Sequence, residues 1–408
     1  MGRKVPDLKK LTDKKAIAGI TWLFAITYMV SYLTRINYGA VISEMVTDTG
    51  YGKPLLSMAL TGSFISYGTG QIISGIIGDR FSPKKLITVG FCVTILMNLL
   101  MVFCVDPWQM LGVWCVNGFA QSFMWPPMVR LMSTLFTRED YKGVSNKVAW
   151  GSSIGTMAIY LVSPLLISLS GWRAIFIFSA ACAVVMIFVW NRFCPEIQEE
   201  KKVVDREKKQ RVKSPLFAPV MLSIMLAIVC VGMLRDGVTT WMPSYIAETY
   251  NLSNAVSILT GVVLPIFSIL CYQVVTRLYR KRFQNPITCG ALIFAVGALA
   301  ALGLVFTTGK VAVLSVLFSA ILTASMHGVN LMLIMMVPAY FDRYGNVSTA
   351  SGVLNSCVYI GSATSTYGIA LLSEKLGWGF TLWSWLAVAV IGTAICFLCI
   401  RPWNKKFS

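Results

Sequence analysis

Apolar stretches of about twenty residues recur from one end of the sequence to the other, and nothing else in it restricts the fold as strongly. A hydrocarbon layer roughly 30 Å thick is crossed by a helix of about 20 mostly apolar residues. On that basis helices are predicted over 16–41, 55–77, 85–105, 108–136, 144–168, 172–193, 216–245, 253–280, 286–307, 310–341, 348–374 and 378–401. The expected fold class is therefore an all-α membrane protein with twelve transmembrane helices. Of the 408 residues 56% are hydrophobic and 13% charged, whereas about a quarter of a soluble domain is charged. The first stretch begins near Ala16 and runs past residue 30 without an A-x-A-like site, so it reads as a retained helix and not as a signal peptide. The eleven cysteines lie mostly inside apolar segments and read as packing residues, the Cys396 and Cys399 pair of the last span included.

A formal charge of +18 would favour nucleic acid as a partner if a soluble basic face existed, but none does. The charge follows the connections instead. Lys and Arg gather in alternate ones: Lys9, Lys10, Lys14 and Lys15; Arg80, Lys84 and Lys85; the run 201–213; Arg277 to Arg282; Lys405 and Lys406. The intervening connections hold only Lys53, Arg173, Lys310 and Lys375. Positive residues stay on the cytoplasmic side, so both termini and the long middle loop are expected there, in a multi-pass protein of the plasma membrane, specifically a bacterial inner membrane. Expected partners are the lipid bilayer and a small anion, with no nucleic acid, and the chain is expected to be a monomer.

The polar segment after Cys194 divides the chain. An N-terminal six-helix bundle is expected over 1–193, a cytoplasmic linker over 194–215 and a C-terminal six-helix bundle over 216–408. The halves echo one another. Phe136-Thr137-Arg138 with Gly143, Val144 and Asn146 recurs as Phe341-Asp342-Arg343 with Gly352, Val353 and Asn355; Gly171-Trp172 recurs as Gly377-Trp378; and Arg35 has a counterpart in Arg235. Related bundles of this kind bind substrate between them near the bilayer midplane.

Arg35 and Arg235 sit deep in apolar spans. An arginine at the centre of a span costs about 2.5–3.5 kcal/mol on insertion scales, so it faces a polar cavity and has a partner. Two guanidinium groups converging from the two halves suit a tetrahedral phosphate, because the planar fork donates paired hydrogen bonds to two oxygens. Tyr28 and Tyr32 precede Arg35 by seven and four residues and share its helix face; Tyr67 and Gln71 share a face in the second span. His327, the one histidine, lies mid-span and would add positive charge if protonated. Gly151 and Gly155 read as packing positions. Paired intramembrane carboxylates, a metal-ligand cluster and a nucleophile beside a base are all lacking, so an enzyme is not expected, nor a cofactor or bound metal.

The run Gly75-Ile76-Ile77-Gly78-Asp79-Arg80-Phe81-Ser82-Pro83-Lys84-Lys85 resembles the signature loop of the major facilitator superfamily. Asp79, Arg80 and Lys84 are its expected gating residues, since charge pairs at a helix end can hold two halves in one orientation and break in the other. Tyr32-Leu33-Thr34-Arg35, Asn117-Gly118-Phe119-Ala120-Gln121 with Trp125-Pro126-Pro127, and Arg235-Asp236-Gly237-Val238 with Trp241-Met242-Pro243-Ser244-Tyr245 narrow the resemblance. They are similar to stretches of the organophosphate:phosphate antiporters, the bacterial glycerol-3-phosphate and hexose-6-phosphate transporters among them. The resemblance implies that both arginines bind the substrate phosphate and that Tyr28, Tyr32, Tyr67 and Tyr359 line the same cavity. It also marks two departures: Gln71 stands where those transporters carry a lysine, and their span-five histidine has no counterpart, His327 being the one histidine and falling about where they carry a span-ten tyrosine. The expected function is exchange of an organic phosphate for inorganic phosphate by alternating access. Gln71, Asp236 and His327 leave open proton-coupled uptake of a phosphonate or carboxylate, and one branch of the family senses sugar phosphate without moving it.

Overall fold

A computed structural model describes residues 10–78, 81–196, 215–344 and 347–407. Its α-helices are α1 Lys14–Thr49, α2 Lys53–Gly78, α3 Pro83–Met101, α4 Pro107–Gln121, α5 Trp125–Leu135, α6 Arg138–Ser170, α7 Arg173–Phe193, α8 Pro219–Tyr250, α9 Asn254–Thr260, α10 Val263–Lys281, α11 Pro286–Thr307, α12 Ala312–Asn330, α13 Val347–Lys375 and α14 Gly377–Phe407. Their ends follow local chemistry. Asp13, Thr137, Ser253 and Asn285 cap α1, α6, α9 and α11 by accepting bonds from first-turn N–H groups. Proline opens α3, α4, α5, α8 and α11, where its missing N–H costs nothing. The tandem Pro126 and Pro127 also explain why α4 and α5 are separate, since neither residue can extend a helix that arrives from its N-terminal side. After Asn330 the chain passes through a π-helical turn, Leu331–Met336, into a 3-10 segment, Val337–Tyr344.

Nine helical segments among the described residues are long and apolar enough to cross a membrane. The predicted spans missing from that set correspond to α2, α13 and the broken α4–α5 pair. α2 and α13 are rich in Gly, Ser and Thr because they pack against each other along the seam between the two halves of the chain. A helix that faces another helix and a polar cavity does not need the hydropathy of one that faces lipid.

In each half glycines press helices to backbone contact. A Cβ on Gly151 or Gly155 of α6 would stand 2.3 Å from the Ala25 carbonyl oxygen or 2.5 Å from that of Met29, both in α1. In the second half a Cβ on Gly232 of α8 or Gly361 of α13 would lie 2.0 Å from the carbonyl oxygens of Val358 and Val229 respectively. The Gly-Trp repeat is also structural. Gly171 and Gly377 adopt φ of 74° and 76°, the left-handed region glycine tolerates. Each following indole then donates to a carboxylate on the first helix of its half: Trp172 to Asp48 and Trp378 to Glu248, both at 2.9 Å.

Candidate anion-binding site

Arg35 is held in place from behind. The Thr34 carbonyl accepts from Asn98 of α3 at 3.3 Å and from Asn117 of α4 at 3.2 Å, and the Thr34 hydroxyl accepts from Gln121 at 2.8 Å. Asn37 donates to Asn98 at 2.7 Å, and Ser179 of α7 donates to the Leu33 carbonyl at 3.1 Å. These amides are buried and converge on Thr34 and Asn37, so the turn of α1 that carries Arg35 is pinned to three neighbouring helices. Asn117 and Gln121 were therefore legible as a motif, but only the packing gives them this positioning role.

In front of Arg35 stands a set of phenols. Its guanidinium carbon lies 4.2 Å from the Tyr67 ring centroid, 5.3 Å from that of Tyr32 and 5.6 Å from that of Tyr359, and one Nη donates to the Tyr359 hydroxyl at 3.3 Å. Tyr67 and Tyr359 touch at 4.5 Å, Tyr28 lies 5.1 Å from Tyr32, and Trp125 extends the row at 5.0 Å from Tyr28. Five of the sequence-predicted residues, Tyr28, Tyr32, Arg35, Tyr67 and Tyr359, thus form one cluster. Among the described residues no carboxylate comes within 4.0 Å of Arg35. Aromatic faces attract a cation by about 0.5–2 kcal/mol each. That is less than a charged hydrogen-bonding partner offers, and the guanidinium remains a strong site for an incoming anion.

Arg235 is placed differently. Its Nε and one Nη donate to the two carboxylate oxygens of the adjacent Asp236 at 2.7 and 2.8 Å, and the other Nη donates to the Asn330 side-chain oxygen at 3.2 Å. Ser362 of α13 donates to Asp236. His327 is one turn before Asn330 on α12, and its Nδ1 lies 3.1 Å from the Tyr272 hydroxyl of α10. Sequence reading passed over Asn330, Tyr272 and Ser362. The three-residue interval from His327 to Asn330 was the available signal for the first, and the other two had none. Gln71 is buried with its amide donating to the Ser122 carbonyl at 3.4 Å, in the seam between α2 and the break after α4.

The halves meet unevenly. At the end opposite the basic connections Lys53 pairs with Glu248 at 2.6 Å, Ser43 with Ser244 at 2.6 Å, and Asn254 donates to Glu44 at 2.9 Å. Further in, Thr61 donates to the Ala363 carbonyl at 3.4 Å. Lys53 also lies 5.1 Å from the Trp378 ring, so the cation serving the second half's Trp–carboxylate pair comes from the first half. Among the described residues no hydrogen bond joins α2 to α13 past Gly68, whose carbonyl accepts from Ser356 at 3.5 Å. A Lys53→Met change removes a half-exposed ion pair worth about 1 kcal/mol, a shift of roughly fivefold in the closed-to-open ratio. The rate at which an impermeant thiol reagent labels Ser244→Cys from that end is expected to rise accordingly.

Of the expected gating residues, Asp79 and Arg80 lie outside the described residues. Lys84 is held within the first half, donating to the carbonyls of Asn191 at 3.0 Å and Cys194 at 2.7 Å, where the free carbonyls of the α7 C-terminus attract a cation.

The sequence matches the family model described as Major Facilitator Superfamily over residues 24–366. It is 23% identical to the protein named "Probable hexose phosphate transport protein" of Chlamydia trachomatis serovar D, over 98% of this chain and 94% of that protein. It is 21% identical to the "Membrane sensor protein UhpC" of Salmonella typhimurium, over 92% of this chain and 88% of that one. Among solved structures, a bacterial homolog to the human lysosomal transporter Spinster superposes with a TM-score of 0.81 at 13% identity, covering 97% of this chain and 99% of that one. At that identity the likeness concerns the fold.

Proposed function

We propose, given that the chain belongs to the Major Facilitator Superfamily, that it exchanges an organic phosphate ester of the sugar phosphate or glycerol phosphate class for inorganic phosphate by alternating access. The observation that carries this is Arg35: a cation deep in a membrane helix, pinned from behind, ringed by phenols and left without a carboxylate partner among the described residues. The relative named for hexose phosphate transport supports the same substrate class.

In this reading the chain crosses the membrane twelve times, counting α4–α5, α9–α10 and α12 with its π and 3-10 extension as single crossings. Two bundles, 1–193 and 216–408, are joined by a cytoplasmic linker, both termini are cytoplasmic, and a monomer in the plasma membrane is the working unit. The anion enters from the open, basic side and bridges Arg35 of one bundle and Arg235 of the other. Binding draws α1 and α8 together and offsets the Lys53–Glu248, Ser43–Ser244 and Asn254–Glu44 contacts that close the far side. Only a loaded carrier reorients readily, which makes the transport an exchange. Tyr28, Tyr32, Tyr67, Tyr359 and His327 surround the organic group, and Gln71 acts through the α2–α4 seam.

Proteoliposomes loaded with unlabelled phosphate test this. Labelled phosphate uptake is expected to depend on the internal anion, and internal sugar phosphate is expected to replace phosphate. Uptake equal into empty and loaded vesicles rejects exchange. The similarity to a membrane sensor favours a second reading, in which the chain binds sugar phosphate and signals. Counterflow by the purified protein eliminates it.

A further inference from the structure

The Arg235–Asp236 pair poses a problem for any site that relies on two free arginines. A guanidinium recognises a phosphate by aiming two parallel N–H groups at two oxygens. In Arg235 one such edge, Nε and one Nη, is already spent on the carboxylate next door in the same helix. That carboxylate is not incidental surface charge, because Ser362 reaches across from α13 to donate to it. Among the described residues it is the only carboxylate within 4.0 Å of either arginine. Two guanidinium charges and one carboxylate leave the site with a single net positive charge.

We propose that Asp236 is a resident counter-anion that sets the charge the site accepts: a monoanionic phosphate head group, or a dianionic one admitted together with one proton carried on Asp236. The inference rests on the reading of Arg35 and Arg235 as a phosphate site. The physical reason is the low-dielectric surroundings. A dianion bound beside an ionised Asp236 leaves the cavity one negative charge in excess, and uncompensated charge at that depth is strongly disfavoured. A monoanion neutralises the site, as does a dianion plus one proton. The two routes have the same proton stoichiometry and the same pH dependence. In either case the substrate competes with Asp236 for the Nε edge of Arg235, and the Ser362 hydroxyl keeps a hydrogen bond on the carboxylate as it lets go.

Other groups facing the pair also titrate or carry charge. They are Arg35 and Tyr32 from α1, His327 from α12, Tyr272 from α10 and Tyr359 from α13. α14 brings Cys396 toward Cys230 on another part of α8, and α9 brings no titratable residue. His327 is the rival source of any pH effect, because its protonation would also favour anion binding in acid. It therefore needs its own control.

The experiment is equilibrium binding of inorganic phosphate to the purified full-length protein across pH 5.5 to 8.5, as a range of about three units around the second ionisation of phosphate, near 6 to 7. For the wild type, affinity is expected to fall about tenfold per pH unit above that ionisation. Asp236→Asn, nearly the same shape without the charge, is expected to remove the fall and to bind phosphate about tenfold or more tightly at the alkaline end. His327→Asn is expected to keep the wild-type slope. Sulfate, a dianion throughout this range, supplies a measurement that needs no variant: its binding to the wild type is expected to strengthen toward acid. The proposal is overturned if Asp236→Asn keeps the wild-type slope, if the slope disappears with His327→Asn instead, or if sulfate binds the wild type tightly and without pH dependence. If neither phosphate nor sulfate binds at any pH while a carboxylate or phosphonate does, the phosphate reading itself falls, and this inference falls with it.

Discussion

Replacing Arg35 with alanine is expected to abolish phosphate-dependent exchange while leaving the protein folded. Truncating one member of a desolvated charge pair costs about 2–5 kcal/mol in binding, a loss on the order of a hundredfold or more in affinity. The fold is expected to survive because Arg35 makes no ion pair among the described residues; what it touches are the faces of Tyr32, Tyr67 and Tyr359 and one hydroxyl. Arg35→Lys separates charge from geometry. It keeps the cation but loses the fork, so partial binding with a marked loss is expected. Arg235→Ala differs in kind. It strands Asp236 beside Ser362 in low dielectric, and breaking a buried pair from one side costs about 3–5 kcal/mol. That variant is expected to lower the thermal midpoint as well as binding, whereas Arg35→Ala lowers binding alone. Thermal melts and phosphate titrations on the two variants check the contrast. Equal loss of stability in both would show that Arg35 is a structural residue and would remove the main support for an anion site.

The second large effect is expected at glycines that touch no substrate. Gly232→Val puts a branched side chain where even a Cβ would be 2.0 Å from the Val358 carbonyl oxygen, and Gly361→Val does the same against Val229. No contact of that kind can be relieved by a rotamer change, because the obstacle is backbone. α8 and α13 must separate, and with them Arg235, Asp236 and Ser362, which lie within one turn of these glycines. Overpacking a well-packed interior typically costs about 1–3 kcal/mol, and more where backbone must shift. Loss of most detergent-stable protein is expected for either variant, measured as the monodisperse fraction on size exclusion. Valine at Gly75, where no atom of the described residues would come within 4 Å of the new Cβ, is the matched control and is expected to be tolerated. Normal yield of Gly232→Val would mean that the α8–α13 crossing is looser than described.

Much of this was readable in advance, for reasons of cost. Arg35 and Arg235 stood out because charge is expensive in a membrane helix. The Gly171-Trp172 and Gly377-Trp378 repeat pointed to related halves, and both copies end in the same indole-to-carboxylate bond. Gly151 and Gly155 were assigned to packing and lie against α1 backbone. The spans predicted over 55–77 and 348–374 fall on α2 and α13, whose hydropathy is low because they face each other across the seam. Tyr359 was reachable only through resemblance to a family, since its distance from Arg35 along the chain hides a 3.3 Å contact.

The sequence by itself determined that the chain is a membrane protein of transmembrane helices, where its charges are costly, and which short motifs recur in its two halves. All three follow from local composition and spacing, which act within one helix at a time. What only the tertiary structure decided is which arginine is available. Asp236 is next to Arg235 in the sequence, yet neighbours on a helix surface do not face each other unless their side chains are turned together. Asn330 and Ser362, brought in from α12 and α13, complete that arrangement, while Tyr32, Tyr67 and Tyr359 gather on Arg35. Two residues alike in sequence thereby become unlike in chemistry: Arg235 carries its own anion, and Arg35 has no carboxylate partner among the described residues.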